Sequence, residues 1–450
     1  MSAGTSAVRP STSRDVAIAV ARDVFGPSER GAQAAFDYRV RRSSLGPRDR
    51  AFAAELAYGA IKMRRTLDWY LRPYLADRAQ PVPSAIAEAL RIGAYQVRFM
   101  SGVEPHAAVF ETVGAALRVG HKGTAGLVNA ILRRLIADAS LPPERADFRS
   151  EPEYLGTRYS VPDWIAAHLC ERFGDRAEAV LAGIDTAPQS ALRVNALRAD
   201  VDSVQGALAE LGIVARTSPL ARDVLVVEQR GDALLGDDAG GRWAVQSEVS
   251  CIPVELLDPR PGETVVDLCS GRGNKAVQIA ARMTGDGALA CIELDPRRIR
   301  VLEERLAQAG AAAAVVCADA TVIPQGATAD AVLVDAPCSG LGVLGRHPEA
   351  RWRKRPDDSA RWSATQAALL RAGAAWVRPR GRLVYSVCTT DRRECEDVVD
   401  AFLAQTEEFE RAPLPERFAE FASAAGDVVV PPGIDGRDGF YVTALRRRGA

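Results

Sequence analysis

The 450-residue chain carries 57 basic and 58 acidic side chains, a formal net charge of −1, and 47% hydrophobic residues. That length predicts two or three globular domains, and the near-neutral balance excludes a chain-wide nucleic-acid footprint, so any such surface is local. No apolar run approaches the roughly 18 residues of a membrane span; eight cysteines without a C-x-x-C and four scattered histidines give no zinc framework and no disulfide pattern, as in a cytoplasmic protein.

Residues 1–14 are rich in Ser, Thr and Arg, lack an apolar centre, and read as a disordered tail rather than a secretory leader. From about 12 to 138 the chain reads as all helix. Apolar positions recur at helical spacing over 16–24, 51–61, 86–97, 109–117 and 127–135, with Gly59, Pro73, Pro81, Pro83, Gly102 and Gly120 at the joints. Clustered Arg39, Arg41, Arg42, Arg48 and Arg50 permit RNA or protein docking; a bundle with solvated charges explains them equally well. A linker around Ser140 leads into a small α+β unit over 150–235. Its expected elements are a helix over 162–173, a strand over 191–195, a helix over 203–211, and strands over 213–217 and 223–227. Arg193, Asn195 and Arg198 there either touch RNA or are exposed polar positions on a strand. Cys170, Cys251, Cys291 and Cys317 lie in apolar patterns and read as small buried hydrophobes, and Cys395 as a helix residue. From 236 to 450, strands and helices alternate.

This last region is organised around Val265-Val-Asp-Leu-Cys-Ser-Gly-Arg-Gly-Asn-Lys-Ala276. An apolar run ends in a turn of small residues, and a helical pattern follows at Val277, Ile279, Ala280 and Met283. A strand–turn–helix of this kind sits at the carboxyl edge of an α/β sheet, where ligands bind. Gly271 and Gly273 allow close approach of a ligand, and the first-turn N–H groups face it. A plain αβ turn would also use glycine, so the other strand ends decide. Runs over 288–292, 312–317, 331–334 and 382–386 end in Glu293 and Asp295, in Asp319, in Asp335-Ala-Pro-Cys338-Ser-Gly, and in Val387-Cys388. One acidic strand end is ordinary solvation; polar or reactive ends on every strand of one sheet edge read as a site. A carboxylate about 20 residues beyond the glycine turn suits a ribose diol. Between the last two runs, Arg346-His-Pro-Glu-Ala-Arg351-Trp352-Arg353-Lys354-Arg gathers five cations and a tryptophan. Arginine grips phosphate bidentately and tryptophan stacks on a base. Arg346, Arg351, Trp352, Arg353 and Lys354 are therefore candidate RNA contacts, with a solvated charge run as the alternative.

Cys338 and Cys388 follow neighbouring strands. A thiolate is the strong nucleophile among side chains. C5 of a pyrimidine is a poor nucleophile, but thiolate addition at C6 gives C5 the character of a carbanion that accepts a methyl group. A base must then take the C5 proton so that the thiol can leave, and an acid at N3 assists the addition. Cys388 or Cys338, Asp335, and the Gly271/Glu293 pocket supply such a set.

These motifs are similar to those of the bacterial 16S rRNA cytosine-C5 methyltransferase family. Leu67-Asp-Trp-Tyr, Arg91-Ile-Gly-Ala-Tyr-Gln, Pro105-His-Ala-Ala-Val-Phe-Glu-Thr-Val and Leu127-Val-Asn-Ala-Ile-Leu-Arg resemble the NusB-like RNA-binding domain fused to these enzymes. Leu192-Arg-Val-Asn and Gln246-Ser-Glu resemble the lead into their catalytic domain. Asp335-Ala-Pro-Cys-Ser-Gly-Leu-Gly with Arg346-His-Pro-Glu is the most specific match. The resemblance implies an all-α NusB-like domain over 1–142, a small α+β RNA-binding or linker domain over 150–235, and a Rossmann-like, class I S-adenosylmethionine-dependent methyltransferase domain over 236–450. It implies Cys388 as nucleophile, Cys338 as the cysteine that helps release the adduct, and Asp335 as the acid at the base. For the donor it implies Cys269, Ser270, Gly271, Arg272, Gly273, Asn274, Lys275, Glu293, Asp319 and Asp335. The implied partners are S-adenosylmethionine and 16S rRNA, with no metal; a monomer is expected.

Two positions depart from the family pattern. The usual turn D-x-C-A-A-P-G-G-K-T is Asp267-Leu-Cys-Ser-Gly-Arg-Gly-Asn-Lys-Ala here, and the usual Thr-Cys is Val387-Cys388. Loss of a hydroxyl hydrogen bond at 387 would cost about 0.5–1.5 kcal/mol. The alternatives are a non-catalytic RNA-binding or ribosome-assembly factor, motivated by the altered turn, and a cytosine-C5 methyltransferase of another RNA such as tRNA.

Overall fold

A computed structural model describes residues 12–75, 81–138, 142–230, 236–322 and 328–449. Most of the 1–14 tail, linker residues Ser140 and Leu141, and the expected boundary at 235 lie outside the described residues. The chain forms two compact units, residues 1–181 with 347–354, and residues 182–346 with 355–450.

The first unit is helical: α1 (Ser13–Phe25), α2 (Ala32–Val40), α3 (Pro47–Lys62), α4 (Arg64–Leu71), α5 (Ser84–Phe99), α6 (Pro105–Val119), α7 (Lys122–Ala137), α8 (Glu151–Arg158) and α9 (Asp163–Phe173). Its core is the apolar faces of α1, α3, α5, α6 and α7, with Val16, Ile18, Leu56, Ile92 and Leu132 fully buried. Gly59 is not a joint but lies within α3, because the Tyr95 ring of α5 fills the place of a side chain: a Cβ there would stand 2.0 Å from Tyr95 Cζ. The unit continues past the expected boundary at 142. Arg65 Nη1 donates to Val161 O (2.8 Å), and Thr66 Oγ1 donates to Thr157 O (2.6 Å), so α4 holds α8 and α9.

α10 (Ala177–Asp185) leads into the second unit. A small antiparallel sheet, order β2-β3-β1-β4, contains β1 (Ser190–Val194), β2 (Val214–Thr217), β3 (Val224–Gln229) and β4 (Trp243–Val245), with α11 (Val201–Glu210) against it. β4 was expected in the next domain. It pairs with β1, and Trp243 joins the small sheet's apolar core. α12 (Ile252–Leu257) then leads to the large sheet.

The large sheet runs β10-β12-β9-β8-β5-β6-β7, with β11 beside β12. Its strands are β5 (Thr264–Asp267), β6 (Ala288–Glu293), β7 (Ala314–Cys317), β8 (Ala329–Asp335), β9 (Val377–Val387), β10 (Phe409–Arg411), β11 (Val428–Val430) and β12 (Phe440–Arg447). Its helices are α13 (Asn274–Arg282), α14 (Pro296–Ala309), α16 (Asp358–Trp376) and α17 (Glu396–Gln405); α15 (Ala350–Arg353) folds with the first unit. β5, β6, β7, β8 and β9 are mutually parallel, whereas β12 is antiparallel to β9. The chain steps outward from β5 through β6 to β7, then restarts on the other side at β8. The crevice between β5 and β8 is thus the topological switch point, where such sheets bind ligands. Cys251, Cys291 and Cys395 are buried as small hydrophobes, but Cys170 is only half-buried and Cys317, on edge strand β7, is exposed.

Candidate active site

The turn after β5 is held in shape by its glycines. Gly271 (φ +57°) and Gly273 (φ +88°) occupy the left-handed region, and a Cβ on Gly273 would meet Leu302 Cδ1 at 2.7 Å. Gly271 N donates to Glu293 Oε2 (2.9 Å), and Asp295 N donates to Glu293 Oε1 (2.9 Å). Glu293 thereby ties the turn to the end of β6. A cleft of about 520 Å³ opens above these strand ends, lined by Cys269, Gly271, Glu293, Asp319 and Asp335 among others.

The remaining expected turn residues do other work. Ser270 is buried; its N–H donates to Ile292 O (3.0 Å) and its hydroxyl to Asp267 O (3.0 Å). Arg272 is exposed, and Gly273 and Asn274 start α13. Lys275 reaches Asp335, its Nζ donating to Oδ2 at 2.6 Å. Burial pulls the Lys275 ammonium down, but Asp335 beside it outweighs this and holds it up. Ser386 Oγ donates to the other Asp335 oxygen (2.7 Å). Sequence reasoning missed Trp362, Thr365 and Leu369 of α16, which complete the cleft wall. The signal was a tryptophan on a helical run, 24 residues after Cys338.

Asp267, the last residue of β5, is 1% exposed, and neither carboxylate oxygen has a well-placed donor. Burial, then the nearby Asp335, pushes its carboxyl up to about 7. Acidic Glu293 and Asp319, the Asp335 carboxylate, and an apolar wall from Leu294, Trp362 and Leu369 suit a cationic nucleoside: diol acceptors, a flat apolar face and a counter-charge.

On the β8/β9 side, Cys338 Sγ and Cys388 Sγ stand 3.2 Å apart, both half-buried. The loop carrying Cys338 is pinned from several directions. Ala336 N donates to Ser386 O (2.9 Å), Ser339 N to Glu394 Oε2 (2.8 Å), and Gln366 Nε2 to Pro337 O (2.9 Å). Gly342 N donates to Cys388 O (3.0 Å). The Cys338 thiol donating to Cys388 pulls the Cys388 thiol down, against burial and Asp335, while Lys275 helps. The same bond, then burial, drives Cys338 up. The pair is asymmetric, with Cys388 the readier thiolate. Val387 is fully buried in an apolar cluster and does not line the cleft, so its departure from threonine removes no group from the cleft.

The basic segment needs correction as an RNA surface. Arg351 is fully buried, donating to Tyr159 O (3.2 Å) and Ser160 O (3.1 Å). Trp352 Nε1 donates to Ile61 O (2.8 Å), and Arg353 Nη2 to Val24 O (2.8 Å) and Arg30 O (2.6 Å). Residues 347–354 fold with the first unit, where Arg351 and Trp352 serve the framework, while Arg353 keeps an exposed surface and Lys354 is half-buried. Arg346 belongs to the second unit and is spent on Asp438 (2.7 Å) and Gln189 O (2.7 Å). Arg193 and Asn195 are likewise buried. Arg193 Nε donates to Gln246 Oε1 (2.8 Å) and its Nη2 to Asn274 O (3.3 Å). Asn195 Nδ2 donates to Gly241 O (2.8 Å) and Ala309 O (2.9 Å), and Arg198 Nε to Ala309 O (3.3 Å), bracing the end of α14.

Three family models match the chain: the 16S rRNA methyltransferase RsmB/F over 254–446, the NusB family over 11–137, and the ferredoxin-like domain of RsmF/B-like methyltransferases over 161–233. Among curated relatives, the ribosomal RNA small subunit methyltransferase B of Thermus thermophilus is 37% identical, covering 98% of this chain and 99% of that one. The probable ribosomal RNA small subunit methyltransferase B of Bacillus subtilis is 30% identical, covering 91% and 93%. The solved structure of PH0851 has the same fold, with a TM-score of 0.79 at 24% identity, covering 97% of this chain and 99% of that one. A methyltransferase homolog protein from Pyrococcus horikoshii gives 0.59 at 22%, covering 67% and 100%.

Proposed function

This chain belongs to the RsmB/F family of 16S rRNA methyltransferases, and we propose that it methylates C5 of a cytosine in small-subunit rRNA, from S-adenosylmethionine, through a covalent Cys388 adduct. The observation that carries the reading is the asymmetric cysteine pair beside the Lys275–Asp335 ion pair, at the rim of a cleft suited to a cationic nucleoside.

S-adenosylmethionine, when bound, supplies an electrophilic methyl group. Glu293 and Asp319 would accept from its ribose hydroxyls, Trp362, Leu294 and Leu369 would cover its purine, and Asp335 would face its positive charge. The Cys388 thiolate attacks C6 of the target base; the S–C6 bond forms and C5 becomes nucleophilic. C5 takes the methyl group. A base then removes the C5 proton, the electron pair restores the C5=C6 bond, and Cys388 leaves as thiolate. Cys338, 3.2 Å from Cys388, serves that release. Asp335, expected as the acid at the base, is paired with Lys275 and so serves as an acceptor, which suits the 4-amino group of cytosine rather than the oxygen of uracil. Such a substrate places the protein in the cytoplasm, and we take it to act as a monomer. No helix among the described residues is long and apolar enough to cross a membrane.

The test is transfer of labelled methyl from S-adenosylmethionine to unmodified small-subunit rRNA. Recovery of the label as 5-methylcytidine is the expected result. Label at another base or in tRNA alone refutes the stated specificity. No transfer to naked rRNA or to small subunits leaves a non-catalytic RNA-binding factor.

A further inference from the structure

The helical unit contains a cleft that the methyl-transfer site does not use. It has a volume of about 470 Å³, within the roughly 300–1,000 Å³ of small-molecule sites. Its wall is aromatic: the Trp69 and Phe148 rings lie 6.4 Å apart, tilted by only 31°, and Phe148 leans in turn on Tyr154 at 5.9 Å. Trp69 is half-buried, so part of the indole is open to the cleft.

The two cations and two anions around this wall are unequally engaged. Asp68 is held bidentately by Arg91, at 2.7 and 3.1 Å, and contributes no free negative charge. Glu153 accepts from Arg149 N (3.0 Å) in the first turn of α8, where the helix dipole offsets it. Arg65 is spent on the framework, donating to Thr157 Oγ1, Val161 O and Glu153 O. Arg72 is exposed on the rim, and its guanidinium makes no hydrogen bond or ion pair with any described residue. The cleft therefore offers an aromatic face and a guanidinium that no described residue pairs. An unpaired nucleotide presents the complement, a base to stack and a phosphate to pair with arginine.

We propose that this cleft is a second RNA-binding site, which seats an unpaired base of the RNA on Trp69 and Phe148 with the neighbouring phosphate on Arg72. The proposal rests on RNA being the substrate. It assigns the helical unit a definite contact, in place of the basic segment that the fold consumes.

The test is fluorescence anisotropy of the full chain with a short labelled oligouridylate, and with an abasic phosphodiester chain of the same length. Trp69→Ala and Arg72→Ala each weaken oligouridylate binding, by roughly ten- to a hundredfold for the lost stack, and Trp69→Phe restores most of it. The abasic chain distinguishes wild type from Arg72→Ala but not from Trp69→Ala. Arg72 is a surface residue, so its variant remains informative if Trp69→Ala misfolds. Wild type that binds oligouridylate no better than Arg72→Ala overturns the cleft while leaving the catalytic reading intact. Wild type that binds neither this probe nor rRNA overturns both.

Discussion

Cys338 Sγ and Cys388 Sγ stand 3.2 Å apart, and the pair is asymmetric: the Cys388 thiol is pulled down and the Cys338 thiol driven up, so Cys388 is the readier anion and Cys338 its donor. This assigns different consequences to removing each. Cys388→Ala should abolish methyl transfer while S-adenosylmethionine binding, measured by calorimetry, persists. Cys338→Ala should form the S–C6 bond but stall at release, giving a slow-migrating protein–RNA band on denaturing electrophoresis. The band appearing with Cys388→Ala instead would exchange the two roles.

The same bond predicts a titration. Cys388 should react with iodoacetamide at a pH below the ordinary thiol range. In Cys338→Ala the donor is gone while burial and Asp335 remain, so the midpoint should rise. Peptide mass spectrometry against pH reads it; an unmoved midpoint would mean Lys275 alone sets the Cys388 charge.

Asp267 gives stability the opposite pH dependence to most carboxylates. Its carboxyl titrates near 7 when folded against 3.8 as the ordinary value. The folded chain binds this proton more tightly, so the group favours folding at low pH, and that contribution is lost as pH rises from about 4 through about 7. Asp267→Asn carries no such proton. Stability of wild type relative to the variant should fall across that window, by at most about 4 kcal/mol, in urea unfolding at successive pH values. A constant difference would mean that Asp267 is ionised throughout.

Arg351→Ala separates a structural from an RNA role for the basic segment. Two buried carbonyls, Tyr159 O and Ser160 O, would lose a charged donor, costing about 2–4 kcal/mol. Thermal unfolding of the first unit should drop accordingly. Undiminished stability with weakened rRNA binding would restore the RNA role.

The sheet was legible because its inner strands are continuous apolar runs, and because Glu293, Asp319, Asp335 and Cys388 mark where each run emerges at one edge. The helices α1, α3, α5, α6 and α7 were legible from their apolar spacing, although Gly59 misled: a glycine that admits a ring from a neighbouring helix looks like a hinge in one dimension. The functions of Arg351, Trp352 and Arg193 were not legible. Composition shows a cation or a tryptophan, but whether its donors end on water, phosphate or a buried carbonyl depends on backbone distant in sequence. Arg351, for instance, reaches Ser160, 191 residues away. β4 was hidden for a related reason, since three residues carry little periodicity and only pairing with β1 makes them a strand.

Residues 347–354 fold with the helical unit although both flanking stretches fold with the other. The gene therefore has no single cut point that yields two intact halves. A fragment starting at residue 182 would carry Arg351, Trp352 and Arg353 stripped of Ser160, Ile61 and Val24. A version of the second unit alone must therefore either omit 347–354 or expose the donors of these three side chains.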